Sequence, residues 1–115
     1  MARGDVVIIN FPRPSGPAGR EQVGTRPAVV VQTDISDGDL PTTIVVPMTS
    51  TLGVTRFPHT IYVDPSPQNG LSTPSVLLVF QLRAIDKSRV GSRIGRLEQS
   101  YLQQLENEMR GILVL

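Results

Sequence analysis

Short runs rich in Val and Ile, separated by Gly, Pro and Asp, constrain this chain more than any other feature of its sequence. Five of these runs predict β-strands, at residues 5–10, 28–33, 43–49, 59–63 and 75–82. Several are apolar at consecutive positions, which is typical of strands covered on both faces. Pro47 lies inside the third run and cannot donate a ladder hydrogen bond, so we expect a bulge or an edge strand there.

Only one helical pattern is present, over residues 98–110, and Gly111 is its expected end. Its apolar stripe consists of Leu102, Leu105, Met109 and Ile112. Because no helix separates the strands, the sheet must be mainly antiparallel and curled or closed on itself. One helix covers only one face of such a sheet, so we expect a homodimer interface to cover the other.

The length and composition indicate one domain spanning residues 1–115. The absence of Cys excludes disulfides and thiol chemistry and suits a reducing compartment. The longest apolar runs have five residues, far fewer than the ~18 needed to span a bilayer. No secretory signal pattern precedes the first strand. We therefore expect a cytoplasmic protein with no membrane contact.

The net charge of +1 conceals an uneven distribution. Residues 83–96 carry five basic side chains against the single acidic Asp86, and ten of the eleven basic residues in the chain are Arg. Arg suits bidentate recognition of phosphate or carboxylate groups. A genomic bias toward Arg codons accounts for the composition equally well, so both interpretations stay open.

Several apparent motifs predict no chemistry. Arg3-Gly4-Asp5 is expected to be a turn before the first strand. The Gly-rich residues 16–19 lack the Lys and the following helix of a phosphate loop. A calcium loop starting at residue 34 would need Gly at its sixth position and Glu at its twelfth, where this chain has Asp39 and Val45. The single His59 cannot be both general base and general acid, and its context favours an ordinary strand residue. No grouping of potential ligands suggests a metal site, so any catalysis is expected to be free of metals and cofactors.

Two polar segments lie where predicted strands meet loops, at residues 21–27 and 47–50. Arg26 is held extended because the residue before a proline avoids the helical region. Thr49 and Ser50 follow an apolar strand. Together they could present a guanidinium and hydroxyl groups to an anion. The alternative is that Arg26 is a solvated loop residue and Thr49 a strand cap.

These segments also resemble a known family. Residues 3–6, 21–32, 43–49, 81–89 and 94–97 appear in the order and with the spacing of the MazF/PemK toxins of type II toxin-antitoxin systems. The resemblance implies a mainly β fold with a C-terminal helix, an SH3-like barrel of the MazF/PemK (CcdB-like) type. It also implies a homodimer that cleaves single-stranded RNA at a short preferred sequence without a metal ion.

The family's catalytic roles carry over to Arg26, Thr49 and Glu21. They imply attack by the RNA 2′-hydroxyl, which leaves a 2′,3′-cyclic phosphate and a 5′-hydroxyl end. Arg26 and Thr49 would stabilise the developing charge, and Glu21 would be the candidate base. We expect RNA contacts from Gln22, Arg13, Arg20, Ser50, Arg56, Phe57, Pro58 and Gln81.

One position departs from the family pattern, because Phe80 stands where many relatives have Asp or Glu. The expected partner is an antitoxin with an acidic flexible tail, and contact with DNA is expected only through that antitoxin. The alternative from a different class is a non-catalytic toxin or nucleic-acid-binding module on the same fold, such as a topoisomerase poison.

Overall fold

A computed structural model describes residues 1–12, 24–33, 38 and 40–115. Within them, the chain forms seven strands and a C-terminal helix. The elements are β1 (Asp5–Phe11), β2 (Gly24–Val30), β3 (Thr42–Thr49), β4 (Thr60–Val63), β5 (Ser75–Leu78), β6 (Arg83–Asp86), β7 (Val90–Arg96) and α1 (Gln99–Leu113). Short 3-10 turns occupy Leu52–Arg56, Val79–Gln81 and Lys87–Arg89.

The strands form one sheet in the order β4-β5-β3-β2-β1-β7, with β6 paired to β3. Every one of these pairings is antiparallel. The predicted mainly antiparallel sheet with a C-terminal helix is therefore confirmed. In the described part of the chain β4 and β7 are the two edge strands and do not pair with each other. The sheet is therefore barrel-like without closing on itself.

Two hydrophobic clusters lie on opposite faces of this sheet. On one face, Val6 and Met48 belong to the cluster that includes Leu102 and Leu105 of α1. On the other, Val7, Ile9 and Phe11 pack with Ile85 of β6. β1 thus sends successive side chains to two different cores. A single chain buries both faces, so the runs of consecutive apolar residues do not require a second copy.

Two strands escaped prediction, and the bounds of others differ from those expected. β6 and β7 were not predicted because they carry Arg, Ser and Gly rather than apolar runs; most of β7 is exposed. β2 starts at Gly24 instead of residue 28, and β5 ends at Leu78, where a 3-10 turn replaces the expected continuation to residue 82. β7 is a strand because it pairs with β1, and this long-range pairing cannot be read from the sequence of β7 itself.

Pro47 lies neither at a bulge nor in an edge strand, which corrects the sequence-based expectation. β3 is central and pairs with β2 on one side. On its other side it pairs with β6 up to Val45 and with β5 from Met48 onward. Pro47 occupies the position where β3 changes partner, so its missing N–H interrupts neither of those ladders.

The helix is longer than predicted. It continues through Gly111 to Leu113 and ends at Val114, which adopts the left-handed conformation. The predicted core role of Leu102, Leu105 and Met109 is confirmed. Glu106 of the helix binds Arg3 at 3.0 Å, which ties α1 to the residues before β1.

None of the described residues belongs to a helix long and apolar enough to cross a membrane.

Candidate active site and the adjoining aromatic cavity

β2 and β3 separate at one end, and this separation positions the two residues predicted to act on an anion. The last pair of their ladder is Ala28 with Pro47, and the same register continued by two residues places Arg26 opposite Thr49. Pro27 has no N–H, and strand alternation turns its nitrogen toward β3, so it cannot extend the ladder. The strands therefore part where Arg26 and Thr49 face each other.

Arg26 and Thr49 line one cavity of about 380 Å³, which we call the arginine cavity. The exposed Arg26 supplies its cationic group, and Ser50 also lies in its wall. Further hydroxyl groups come from Thr25, Ser72, Thr73 and Ser75. A guanidinium surrounded by hydroxyl groups is a suitable environment for a phosphate.

The opposite wall of the arginine cavity depends on a turn at residues 67–69, which packs against β7. Asn69 is fully buried, and its side-chain amide donates to the carbonyl of Asp64 and to Glu98, while its Oδ1 accepts from two backbone N–H groups. Gly95 and Gly70 let the turn approach β7 closely: an added Cβ would lie 2.4 Å from Asn69 C and 2.0 Å from Ile94 O, respectively. The turn leads into Ser72 and Thr73, which line the cavity.

Thr49 also lines a second cavity of about 630 Å³, which we call the aromatic cavity. The Thr49 side chain is buried, and its Oγ1 accepts a hydrogen bond from the Thr51 N–H at 3.2 Å. The hydroxyl hydrogen stays available for donation, since that contact uses only a lone pair. The two cavities therefore share Thr49 in their walls.

The aromatic cavity brings together three residues that the sequence predicted as RNA contacts, namely Phe57, Pro58 and Gln81. Phe80 lines it as well, with its ring centroid 6.0 Å from that of Phe57 in an edge-to-face arrangement. The Arg56 guanidinium lies 5.0 Å from the Phe57 ring centroid, just outside the lining. An apolar cavity with a few polar groups on its rim suits a flat ligand.

The basic residues of segment 83–96 serve the fold instead of these cavities. Arg93 and Arg96 both bind Asp5, at 3.1 and 3.4 Å. The Arg83 guanidinium lies 5.3 Å from the Phe11 ring centroid, and Arg89 donates to the carbonyl of Asn10. The phosphate-binding interpretation of this segment therefore gains no support from their placement.

Four predicted site residues lie outside the described residues, namely Arg13, Arg20, Glu21 and Gln22. Most of the acidic segment 34–39 does so as well. Among the residues that are described, no group of three His, Cys, Asp or Glu side chains could hold a metal ion. The predicted turn at Arg3-Gly4-Asp5 is confirmed, since Gly4 has a φ of 98° and Asp5 begins β1.

Comparison with known proteins identifies the family. Residues 2–113 match the family described as PemK-like, MazF-like toxin of type II toxin-antitoxin system. The chain belongs to this family. Endoribonuclease EndoA of Bacillus subtilis (strain 168) is 32% identical over 115 residues, covering 100% of this chain and 96% of the relative. Endoribonuclease MazF of Staphylococcus saprophyticus is 31% identical over 107 residues, covering 93% and 86%.

Solved MazF structures share the fold. MazF (Form-I) from Deinococcus radiodurans superimposes with a TM-score of 0.79 at 24% identity, covering 100% of this chain and 97% of that one. The MazE-MazF (Form-II) structure from the same organism gives a TM-score of 0.77 at 25% identity, covering 100% and 96%. The barrel-like toxin fold expected from the sequence is confirmed.

The structure adds site residues that sequence reasoning missed. Ser72 and Thr73 line the arginine cavity from a loop that carries no charge and no recognisable motif. His59 lines the aromatic cavity instead of belonging to a strand, since β4 starts at Thr60. Its neighbour Pro58 was the only local signal of an irregular backbone there.

Proposed function

We propose that the arginine cavity of this PemK/MazF toxin binds the scissile phosphate of single-stranded RNA, which is cut at a short sequence without a metal ion. The toxin-endoribonuclease class itself is confirmed by two curated relatives, both named endoribonucleases and aligned over nearly the whole chain. The placement of Arg26 and Thr49 on one cavity, between strands that Pro27 separates, carries the proposal for the site.

The reaction uses a nucleophile supplied by the substrate. The RNA 2′-oxygen attacks the adjacent phosphorus, the bond from phosphorus to the 5′-oxygen breaks, and the products are a 2′,3′-cyclic phosphate and a 5′-hydroxyl. Negative charge develops on the non-bridging oxygens during the attack. The guanidinium of Arg26 and the free hydroxyl hydrogen of Thr49 donate to that charge from preorganised positions.

Two proton transfers complete the balance. A base removes the proton of the 2′-hydroxyl, and the leaving 5′-oxygen receives a proton. Glu21 is the proposed base on the family resemblance, and it lies outside the described residues. Arg26 is the other candidate for proton transfer, because it lines the cavity that would hold the phosphate.

The aromatic cavity provides the base-recognition site of this proposal. It shares Thr49 with the arginine cavity, so a nucleotide next to the scissile phosphate can place its base between apolar walls. Phe57 and Phe80 offer aromatic surface for stacking, and Gln81 offers an amide for a base edge. Phe80 replaces the carboxylate of many relatives, so the preferred sequence is expected to differ from theirs.

The test is to incubate the purified chain with a long RNA of mixed sequence in EDTA and to map the new 5′ ends. Arg26→Ala should reduce the cleavage rate constant by about 100-fold or more, since it removes one preorganised donor. Arg110→Ala is the matched control. Arg110 is an exposed arginine on α1 that contacts Asn107 and lines neither cavity, so its removal should leave cleavage unchanged.

Intact RNA with the wild-type chain across diverse sequences would defeat the nuclease proposal in favour of the non-catalytic alternative. Cleavage abolished by EDTA would defeat its metal independence. Equal losses of the cleavage rate constant in Arg26→Ala and Arg110→Ala would show that Arg26 is not part of the site. The assignment to the nuclease class would stand.

The partner is an antitoxin, since the family is that of toxins from toxin-antitoxin systems and similar solved structures are MazE-MazF structures. We propose that an acidic flexible segment of this antitoxin covers the exposed Arg26 and blocks the phosphate site. Contact with DNA would occur only through the antitoxin. A homodimer and a cytoplasmic location, where mRNA is translated, belong to the same proposal.

A further inference from the structure

His59 adopts a backbone conformation that residues other than glycine rarely take. Its φ is 59°, in the left-handed region, and it immediately precedes β4. Such strain persists only where surrounding contacts enforce it, and it concentrates at functional sites. The question is therefore what the imidazole does at this position.

Contacts on two sides fix His59. Its carbonyl accepts a hydrogen bond from the Val79 N–H at 3.0 Å, and its Nδ1 lies 2.8 Å from Glu108 Oε2 on α1. An added Cβ at Gly111 would lie 3.9 Å from its Cε1, so the Nδ1–Cε1 side of the ring faces the helix. The remaining edge, Nε2 and Cδ2, is turned away from α1.

The hydrogen bond with Glu108 also decides the chemistry of the other ring nitrogen, Nε2. A carboxylate can only accept, so Nδ1 must carry the hydrogen of this bond. In the neutral ring Nε2 then has a lone pair and acts as an acceptor. His59 lines the aromatic cavity together with Thr49, Phe57 and Phe80, whereas Glu108 does not.

We infer that His59 is a specificity-determining residue of this nuclease, whose Nε2 accepts a hydrogen bond from the 6-amino group of adenine or the 4-amino group of cytosine bound in the aromatic cavity. Glu108 is the positioning residue that sets the ring and its tautomer. At these two positions an acceptor favours adenine over guanine and cytosine over uracil, because guanine carries an oxygen at C6 and uracil an oxygen at C4. This inference rests on the proposed RNA cleavage.

The experiment is cleavage of a randomised RNA pool, followed by sequencing of the ends, with wild type, His59→Asn and Glu108→Ala, which removes the acceptor for Nδ1–H. Asn tolerates the left-handed region, so the fold should persist, as a thermal melt will show. Glu106→Ala is the matched control, because it removes a partly exposed carboxylate and its contact with Arg3 from the same helix, while Arg3 lines neither cavity.

We expect one position of the wild-type recognition sequence to favour adenine over guanine or cytosine over uracil. His59→Asn and Glu108→Ala should reduce that preference by about 10-fold, the effect of one lost hydrogen bond, and Glu106→Ala should keep it. An unchanged preference in both variants overturns the inference, as does a wild-type sequence with no such position or an equal loss in the control. If wild type leaves RNA intact, the proposed function itself fails. If His59→Asn does not fold, Glu108→Ala decides.

Discussion

At the scale of single residues, Asp5 binds two arginines of the basic segment 83–96. Its carboxylate is buried and accepts from the Ala2 N–H at 2.9 Å, from Arg93 at 3.1 Å and from Arg96 at 3.4 Å. Burial raises the pKa of Asp5, but the hydrogen bonds from Ala2 and Arg93 and the charges of Arg93 and Arg96 outweigh it and hold the pKa below its usual 3.8. The ionised form therefore stabilises the folded state.

The Asp5 network predicts an acid-sensitive stability. Since its pKa is lower in the folded than in the unfolded chain, the contribution of Asp5 is present above about pH 4 and is lost as the pH falls through the folded-state pKa. Asp5→Asn should lower the free energy of unfolding at pH 7 by about 1 to 3 kcal/mol. Urea denaturation between pH 7 and pH 2.5 should also show a flatter acid limb in the variant. An identical acid limb would contradict the role of Asp5.

At the scale of elements, the contact between the turn and β7 holds one wall of the arginine cavity. Neither the turn nor β7 has an apolar pattern that would bring them together. Gly95 allows the backbone of the turn to approach β7 closely, and the buried Asn69 holds the turn through hydrogen bonds to Asp64 and Glu98. These contacts stand in place of apolar burial. The stability of this wall therefore depends on the absence of a side chain at one position of β7.

Gly95→Ala tests that dependence. The added Cβ would lie 2.4 Å from backbone atoms of Gln68 and Asn69, so the turn must move away from β7. We expect the free energy of unfolding to fall by about 1 to 3 kcal/mol, as in overpacked cores, and RNA cleavage to weaken as the cavity wall shifts. Gly53→Ala is the control, because an added Cβ there meets nothing within 4 Å. Equal thermal midpoints for the two variants would show that the contact is dispensable.

At the scale of the whole molecule, the expected dimer no longer follows from uncovered strands, because the chain buries both faces of its sheet. The expectation now rests on the family resemblance. The surface does offer apolar groups, since Val114 and Leu115 are 89% and 86% exposed and Phe80 is 40% exposed. Scattered apolar residues are ordinary on monomers, so only a measurement of mass decides.

Sedimentation velocity at micromolar concentration should reveal a species of about 25 kDa, twice the chain mass of 12.5 kDa. The physical reason is that association would bury the exposed apolar side chains, each contributing through the area removed from water. A dilution series should then show a shift toward the monomer. A single 12.5 kDa species at every concentration would refute the dimer.

The sequence alone determined the antiparallel sheet and the docked helix, because apolar periodicity is a local property of the chain. The order and spacing of its motifs indicated the family, and the choice of Arg26 and Thr49 as site residues came from that resemblance and stays a prediction. The sequence did not reveal β6 and β7, whose strand character comes from ladders with distant partners and not from their own side chains.

Only the tertiary structure decided that Arg26 and Thr49 share a cavity, because that depends on the register of β2 against β3 and on where Pro27 ends their ladder. The same holds for His59. Its sequence context predicted an ordinary strand residue, whereas its left-handed backbone and its bond to Glu108 arise from packing between β4 and a helix 49 residues away in the chain. Long-range contacts of this kind leave no periodic pattern in the sequence, and they position the groups on which the proposed function depends.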